Sequence, residues 1–156
     1  METCCAPHVH DEVDKCPQCG EKGKPIGLVT LESLLTEAAL ARLEATHAFR
    51  FCRTPHCAVV YFSDDRCHLF MKSDVSVRVG QKEAFSPVPL CYCFGHTEES
   101  IAQEIVETGK STVVASITAK VKAGECDCER RNPQGSCCLG NVNLAVKKAQ
   151  SLQSTK

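Results

Sequence analysis

Apolar residues recur along this chain with two different periods. Leu31, Leu34, Leu35 and Ala38 fall at i, i+3, i+4 and i+7, the stripe of one buried helical face, and Thr30 is placed to cap its start. After Thr46 the period drops to two, or to short apolar runs between turn residues. Phe49–Cys52 and Ala58–Phe62 read as strands flanking Arg53-Thr54-Pro55-His56, with Cys67–Met71 and Val75–Val79 as two more. Val75, Val77 and Val79 alternate with Ser76 and Arg78, which gives the last strand one wet face, and Gly80 ends it. Helical spacing then returns. Thr97 can cap a helix through Thr108 with Ile101 and Ile105 on one face and Gly109 at its end, and Ser111 can cap a second through Lys122, stopped by Gly124. The loop Cys126–Gly135 leads through Cys137-Cys138 to a final helix ending near Gln150.

This order of elements predicts an α+β fold in two units. Residues 16–88 form a small β domain with a helix, residues 89–150 an all-helical domain, and Pro87 and Pro89 mark the boundary. Residues 1–15 read as a mobile tail in which Cys4, Cys5, His8 and His10 stand among Pro, Asp and Glu without periodicity, and residues 151–156 as a second, polar tail.

Composition changes the picture at one point, because 13 of the 156 residues are cysteine. Without them the apolar content is thin for two small units, so a metal or disulfide staple is expected in both. The N-terminus lacks a basic segment followed by an apolar stretch, and no apolar run is long enough to span a membrane. The expectation is a cytoplasmic protein without membrane insertion. In that reducing setting an odd number of cysteines points to metal ligation or redox chemistry rather than a disulfide framework. With 18 basic against 19 acidic residues, no nucleic-acid partner is expected.

Cys16-x2-Cys19 followed by Gly20 is half of a tetrahedral thiolate site, since a tight turn can aim both sulfurs at one ion. Cys52-x4-Cys57 supplies the other half. Zn(II) suits four thiolates and would add the folding energy that the thin core lacks. The alternative is a redox pair of thioredoxin type, which would leave Cys52 and Cys57 without a role and lacks its parallel βαβ context. His56 could replace one cysteine as a ligand, but reads as a solvent-facing loop residue.

Cys91-x-Cys93 is different chemistry, because one intervening residue in a loop lets two sulfurs grip one iron of a cluster just before the Thr97 helix. The remaining ligands must come from Cys126, Cys128, Cys137 and Cys138. Cysteines emerging at helix N-termini offer an anionic iron–sulfur core both backbone N–H groups and a favourable dipole. A second zinc site is the alternative on spacing.

Cys91-Tyr-Cys-Phe-Gly-His-Thr, followed by two helices, a loop containing Gly and a cysteine opening a third helix, resembles the [2Fe–2S] domain of bacterioferritin-associated ferredoxins, although that family closes its cluster with Cys-x2-Cys. A closer resemblance is to the N-terminal region of CopZ-type copper chaperones. It is carried by Phe51-Cys-Arg-Thr-Pro-His-Cys-Ala-Val-Val-Tyr-Phe62, Leu90-Cys-Tyr-Cys93 and Asn132-Pro-Gln-Gly-Ser-Cys-Cys138, and extends over residues 16–150. The resemblance implies a zinc-ribbon-like first domain with zinc at Cys16, Cys19, Cys52 and Cys57. It implies a bacterioferritin-associated-ferredoxin-like second domain with [2Fe–2S] ligation by Cys91, Cys93, Cys128 and Cys138. Cys126 could substitute for Cys128, and Cys137 would be the unligated neighbour.

The function implied is that of a zinc and [2Fe–2S] redox protein of copper or related soft-metal handling. Its cluster would supply one electron for reduction of Cu(II) to Cu(I), with transfer of the metal to a metal-carrier domain or a metal-transporting ATPase. Chaperones of this type carry copper on a C-terminal βαββαβ domain, for which the 156 residues leave no room; the expectation is an excised N-terminal piece or a separately encoded carrier. Alternatives are an electron-transfer module docking on an iron-storage or reductase partner, and a redox-sensing zinc-ribbon regulator. No catalytic triad, carboxylate pair or phosphate loop is evident, so ordinary turnover is not expected. Cys4, Cys5, His8 and His10 form a possible soft-metal site for Cu(I). Cys67, beside His68 on an expected strand, reads as a small buried hydrophobe.

Overall fold

A computed structural model describes residues 14–83 and 88–154. Its centre is a hairpin in which β2 (Phe49–Phe51) and β3 (Val59–Ser63) pair antiparallel, with Phe49 opposite Ser63 and Phe51 opposite Tyr61. Adding β1 (Lys24–Ile26) and β4 (Leu69–Met71) gives, among the described residues, an antiparallel sheet in the order β1-β2-β3-β4. β3 lies inside this sheet and is buried along its whole length, which is why Val59-Val60-Tyr61-Phe62 is a continuous apolar run. Phe49, Phe51, Val60, Tyr61 and Phe70 pack with Leu31, Leu34 and Leu35, while Val59 and Phe62 join Cys16, Cys52 and Cys57 in a separate cluster.

The expected helix beginning after Thr30 is two short ones. α1 (Leu28–Leu34) is followed by Leu35 in extended conformation (φ −70°, ψ 148°), and the chain restarts as α2 (Glu37–Leu40) with the Thr36 hydroxyl accepting from the Ala39 amide. Thr30 does not cap; Gly27 holds that position, and the buried Thr30 hydroxyl donates instead to the Glu129 carbonyl at 2.5 Å.

The break at Leu35 also explains a second departure. Leu35 bridges Val75, the Ser76 amide donates to Leu34 O at 2.7 Å, and the Thr36 amide donates to Asp74 O at 2.8 Å. The backbone around Val75 is therefore taken up by the α1–α2 junction, and Val75–Val79 is not a sheet strand although Val75 and Val79 are buried. β1 falls in a segment to which the hydrophobic pattern assigns no element. Pro25 fits there because β1 is an edge strand.

Beyond residue 88, β5 (Pro89–Cys91) and β6 (His96–Thr97) form a two-stranded ribbon, so this half is not all-helical as expected. The turn between them reverses at Gly95, whose φ of +74° an L side chain would resist. α3 (Glu98–Thr108) starts at Thr97, whose hydroxyl accepts from the Ser100 amide at 3.1 Å, and ends at left-handed Gly109. α4 (Val113–Lys122) starts at Thr112, with the Ser111 hydroxyl accepting from the Val113 amide. A short helix α5 (Cys128–Arg131) occupies part of the expected loop, and α6 (Leu139–Ser154) runs past Gln150. Ile101, Ile105, Val113, Ile117, Val142 and Ala145 form the core here.

Candidate metal centres

The first centre lies at one end of the β2–β3 hairpin. Cys52 follows β2, Cys57 precedes β3, and the chain from Cys16 to Glu21 folds over them as a tight turn in which the Gly20 amide donates to Cys16 O at 2.8 Å and the Cys16 amide to Glu21 O at 2.9 Å. The turn needs a left-handed residue, and Gly20 has φ +77°. The four sulfurs of Cys16, Cys19, Cys52 and Cys57 lie within 4.8 Å of one another. Cys16 Sγ is 3.8 Å from Cys57 Sγ, and Cys19 Sγ is 3.7 Å from Cys52 Sγ. Zn–S bonds of about 2.3 Å in a tetrahedron set neighbouring sulfurs about 3.8 Å apart, so the donor set fits Zn(II).

Local electrostatics divide these thiols. Burial pushes Cys16 up to about 12 and raises Cys57 as well. Cys19 is pulled down to about 7: burial opposes ionisation, but hydrogen bonds from the Thr54 hydroxyl and the Glu21 amide outweigh it. Thr54 Oγ1 stands 3.2 Å from Cys19 Sγ. Two supports were not legible in the sequence. Besides Thr54, the buried Lys82 donates to Thr54 O at 2.7 Å and Cys57 O at 3.0 Å, pinning the 52–57 loop from a position 25 residues beyond Cys57. His56 is exposed on that loop.

The second group of thiols gathers where β5, α5 and the start of α6 meet. Cys93 Sγ lies 3.7 Å from Cys128 Sγ, and the Asp127 amide donates to Cys93 Sγ at 3.2 Å. Cys91 and Cys138 are both buried and hydrogen-bonded to each other. That bond, together with the Phe94, Cys93 and His96 amides, pulls Cys91 down to about 6 against the effect of burial. Cys138 and Cys128 are pushed up, Cys138 by its bond to Cys91 and by burial, Cys128 to about 12 chiefly by burial. The pairs in contact are thus Cys93 with Cys128 and Cys91 with Cys138. The reason is the strand: Cys91 closes β5 facing the core, while Cys93 lies in the turn beyond it. Cys126 is half-buried and Cys137 exposed.

Cys67 is half-buried in the turn before β4, its amide donating to Asp65 Oδ1 at 3.0 Å, rather than on a strand. Cys4, Cys5, His8 and His10 lie outside the described residues. Among the described residues, no helix is long and apolar enough to cross a membrane.

Comparison with known proteins places this geometry. Residues 13–76 match the zf_CopZ family, described as a zinc binding domain. The copper chaperone CopZ of Archaeoglobus fulgidus is 32% identical over 124 residues, which is 80% of this chain and 57% of that protein. The chain therefore spans a little over half the length of that relative. The X-ray structure of the Archaeoglobus fulgidus CopZ N-terminal domain superposes with a TM-score of 0.70 at 31% identity, covering 83% of this chain and 95% of that one. Fold and cysteine cluster together define a zinc-binding α+β protein. The chain belongs to the family of CopZ N-terminal regions.

Proposed function

We propose that this chain works in copper handling as a zinc and [2Fe–2S] redox protein of the cytoplasm, with zinc held by Cys16, Cys19, Cys52 and Cys57 and the cluster by Cys91, Cys93, Cys128 and Cys138. The observation that carries the second centre is the convergence of four thiols from three separate elements as two close pairs. A [2Fe–2S] core has two irons, each taking two thiolates, and pairs Cys93–Cys128 and Cys91–Cys138 match that demand. Amides of Phe94, Cys93, His96 and Asp127 directed at these sulfurs suit an anionic core. Residues 16–88 and 89–150 form the two units of this reading, each with its own apolar cluster.

The two centres divide the labour. Four thiolates on Zn(II) neither gain nor lose electrons and supply folding energy to a small sheet. A bound [2Fe–2S] cluster would supply the single electron that takes Cu(II) to Cu(I). Buried Cys91 and Cys138 hold the inner side of that site, while Cys93, Cys126 and Cys128 face the surface, the side from which an ion would approach. Cu(I), a soft ion, then suits a thiolate-bearing carrier domain or a metal-transporting ATPase as acceptor. The test is to mix dithionite-reduced, desalted protein with Cu(II) under nitrogen beside a Cu(I)-specific chromophoric chelator. About one Cu(I) per reduced cluster, with return of the oxidised spectrum, is expected. Reduced protein that leaves Cu(II) untouched yet passes electrons to a protein acceptor would replace this reading with that of an electron-transfer module.

A further inference from the structure

At the end of the β2–β3 hairpin opposite the cysteine site, five side chains with metal-binding chemistry converge. His47 precedes β2, Asp64 and Asp65 follow β3, His68 precedes β4, and Glu44 reaches in from the turn after α2. The backbone builds this meeting. The Asp64 amide donates to Ala48 O at 2.8 Å and the Ser63 amide to His68 O at 3.0 Å, closing the β3–β4 turn, in which Arg66 adopts a left-handed φ of 61°. The imidazoles of His47 and His68 then lie with ring centroids 4.7 Å apart.

We propose that Glu44, His47 and His68 form a third metal site, for a borderline divalent transition-metal ion such as Zn(II) or Cu(II). His47 Nε2 is 3.4 Å from Glu44 Oε2, and His68 Nε2 is 3.5 Å from Glu44 Oε1. These separations are long for charge-assisted hydrogen bonds, which run about 2.7–2.9 Å. They equal the spacing of neighbouring ligands on a tetrahedral ion with metal–ligand bonds of about 2.0–2.1 Å. The three donor atoms all lie within 4.8 Å of one another.

The other ring nitrogens are oriented as metal-bound histidines require. His47 Nδ1 faces Asp64 Oδ1 at 3.1 Å and His68 Nδ1 faces Asp65 Oδ1 at 3.3 Å, so each ring has a carboxylate behind it and its Nε2 turned to Glu44. Asp65 is itself held by the Ser63 hydroxyl and the Cys67 amide. Its second oxygen, Oδ2, stands 3.4 Å from His47 Nε2. Two imidazoles with carboxylates select borderline ions over both Mg(II), which wants oxygen ligands, and Cu(I), which wants sulfur. With Glu44 more than half exposed, the site opens to solvent, which suits uptake and release rather than a structural ion. None of these residues is a ligand in the [2Fe–2S] reading, so the third site stands whether or not a cluster is present.

The test titrates Zn(II) into protein whose cysteine zinc is already in place, following the imidazole nitrogens by NMR and binding by calorimetry. At one added equivalent the Nε2 signals of His47 and His68 should shift together. His68→Gln should weaken that binding event by more than about tenfold, and Asp64→Asn, which leaves all three ligands, by about tenfold. Glu44→Gln, on an exposed side chain, provides a variant that keeps the fold and should also weaken it. Imidazole signals that stay fixed at stoichiometric Zn(II), or an affinity unchanged in both His68→Gln and Glu44→Gln, would show that the cluster is an ion-pair network only.

Discussion

Tyr61 donates its hydroxyl proton to the carbonyl of Pro133 at 2.5 Å, with both residues buried. Tyr61 belongs to the central strand of the zinc-bearing sheet, and Pro133 to the loop that leads into Cys137-Cys138, so one hydrogen bond ties the two thiol groups into one structure. Burial raises the phenol's pKa, which keeps it a donor at any working pH. Tyr61→Phe leaves the Pro133 carbonyl buried without this partner. The expected cost is about 1–3 kcal/mol, a fall in melting temperature of about 2–4 °C per kcal/mol for a chain of this size, read by thermal denaturation of the metal-loaded protein.

Thr54→Val removes the hydroxyl that favours the Cys19 thiolate while keeping the backbone carbonyl bound by Lys82. The Cys19 pKa then rises from about 7, and protons compete better with the metal. Zinc release on acidification, followed with a chromophoric chelator, should begin at a higher pH in the variant than in the parent protein.

Asp65 is held down at about 2: burial works against ionisation, but hydrogen bonds from the Ser63 hydroxyl, the Cys67 amide and His68 prevail. A carboxylate whose folded pKa is depressed stabilises the fold above its unfolded value and loses that contribution as pH falls through the folded one. Asp65→Asn should therefore be less stable than the parent by about 1–2 kcal/mol near neutral pH, allowing for its residual solvent contact, with the gap closing between about pH 4 and 2. Denaturant midpoints measured across that range check it.

Cys126 and Cys128 are close in sequence but differ in placement, since only Cys128 is the sulfur seen 3.7 Å from Cys93. Cys128→Ser should abolish or strongly shift the cluster's visible absorption, and Cys126→Ser should leave it intact. A spectrum unchanged by Cys128→Ser and lost in Cys126→Ser would reverse the ligand assignment.

Much of the fold could be read from local signals. Thr97 and Gly109 bracket α3 because capping is written in a few adjacent residues, and the β2–β3 run is marked by apolar residues between turn formers. What could not be read depends on partners distant in sequence. Thr30 carries every local mark of a cap, yet its hydroxyl serves Glu129, 99 residues away. Val75–Val79 alternates like a strand, but the backbone it meets is that of Leu34 and Leu35. The site shows the same division. Cys-x2-Cys and Cys-x4-Cys announce themselves by spacing, whereas Lys82 and the gathering of Glu44, His47 and His68 exist only through tertiary contact.

The measurement that bears most directly on the two thiol centres is anaerobic purification with iron, sulfide and zinc quantification on one sample. A chain with one zinc site and one cluster carries about two irons, two sulfides and one zinc, and its zinc survives mild oxidation that bleaches the iron. Zinc at both thiol groups, with no iron or sulfide even from cells supplied with iron, would contradict it.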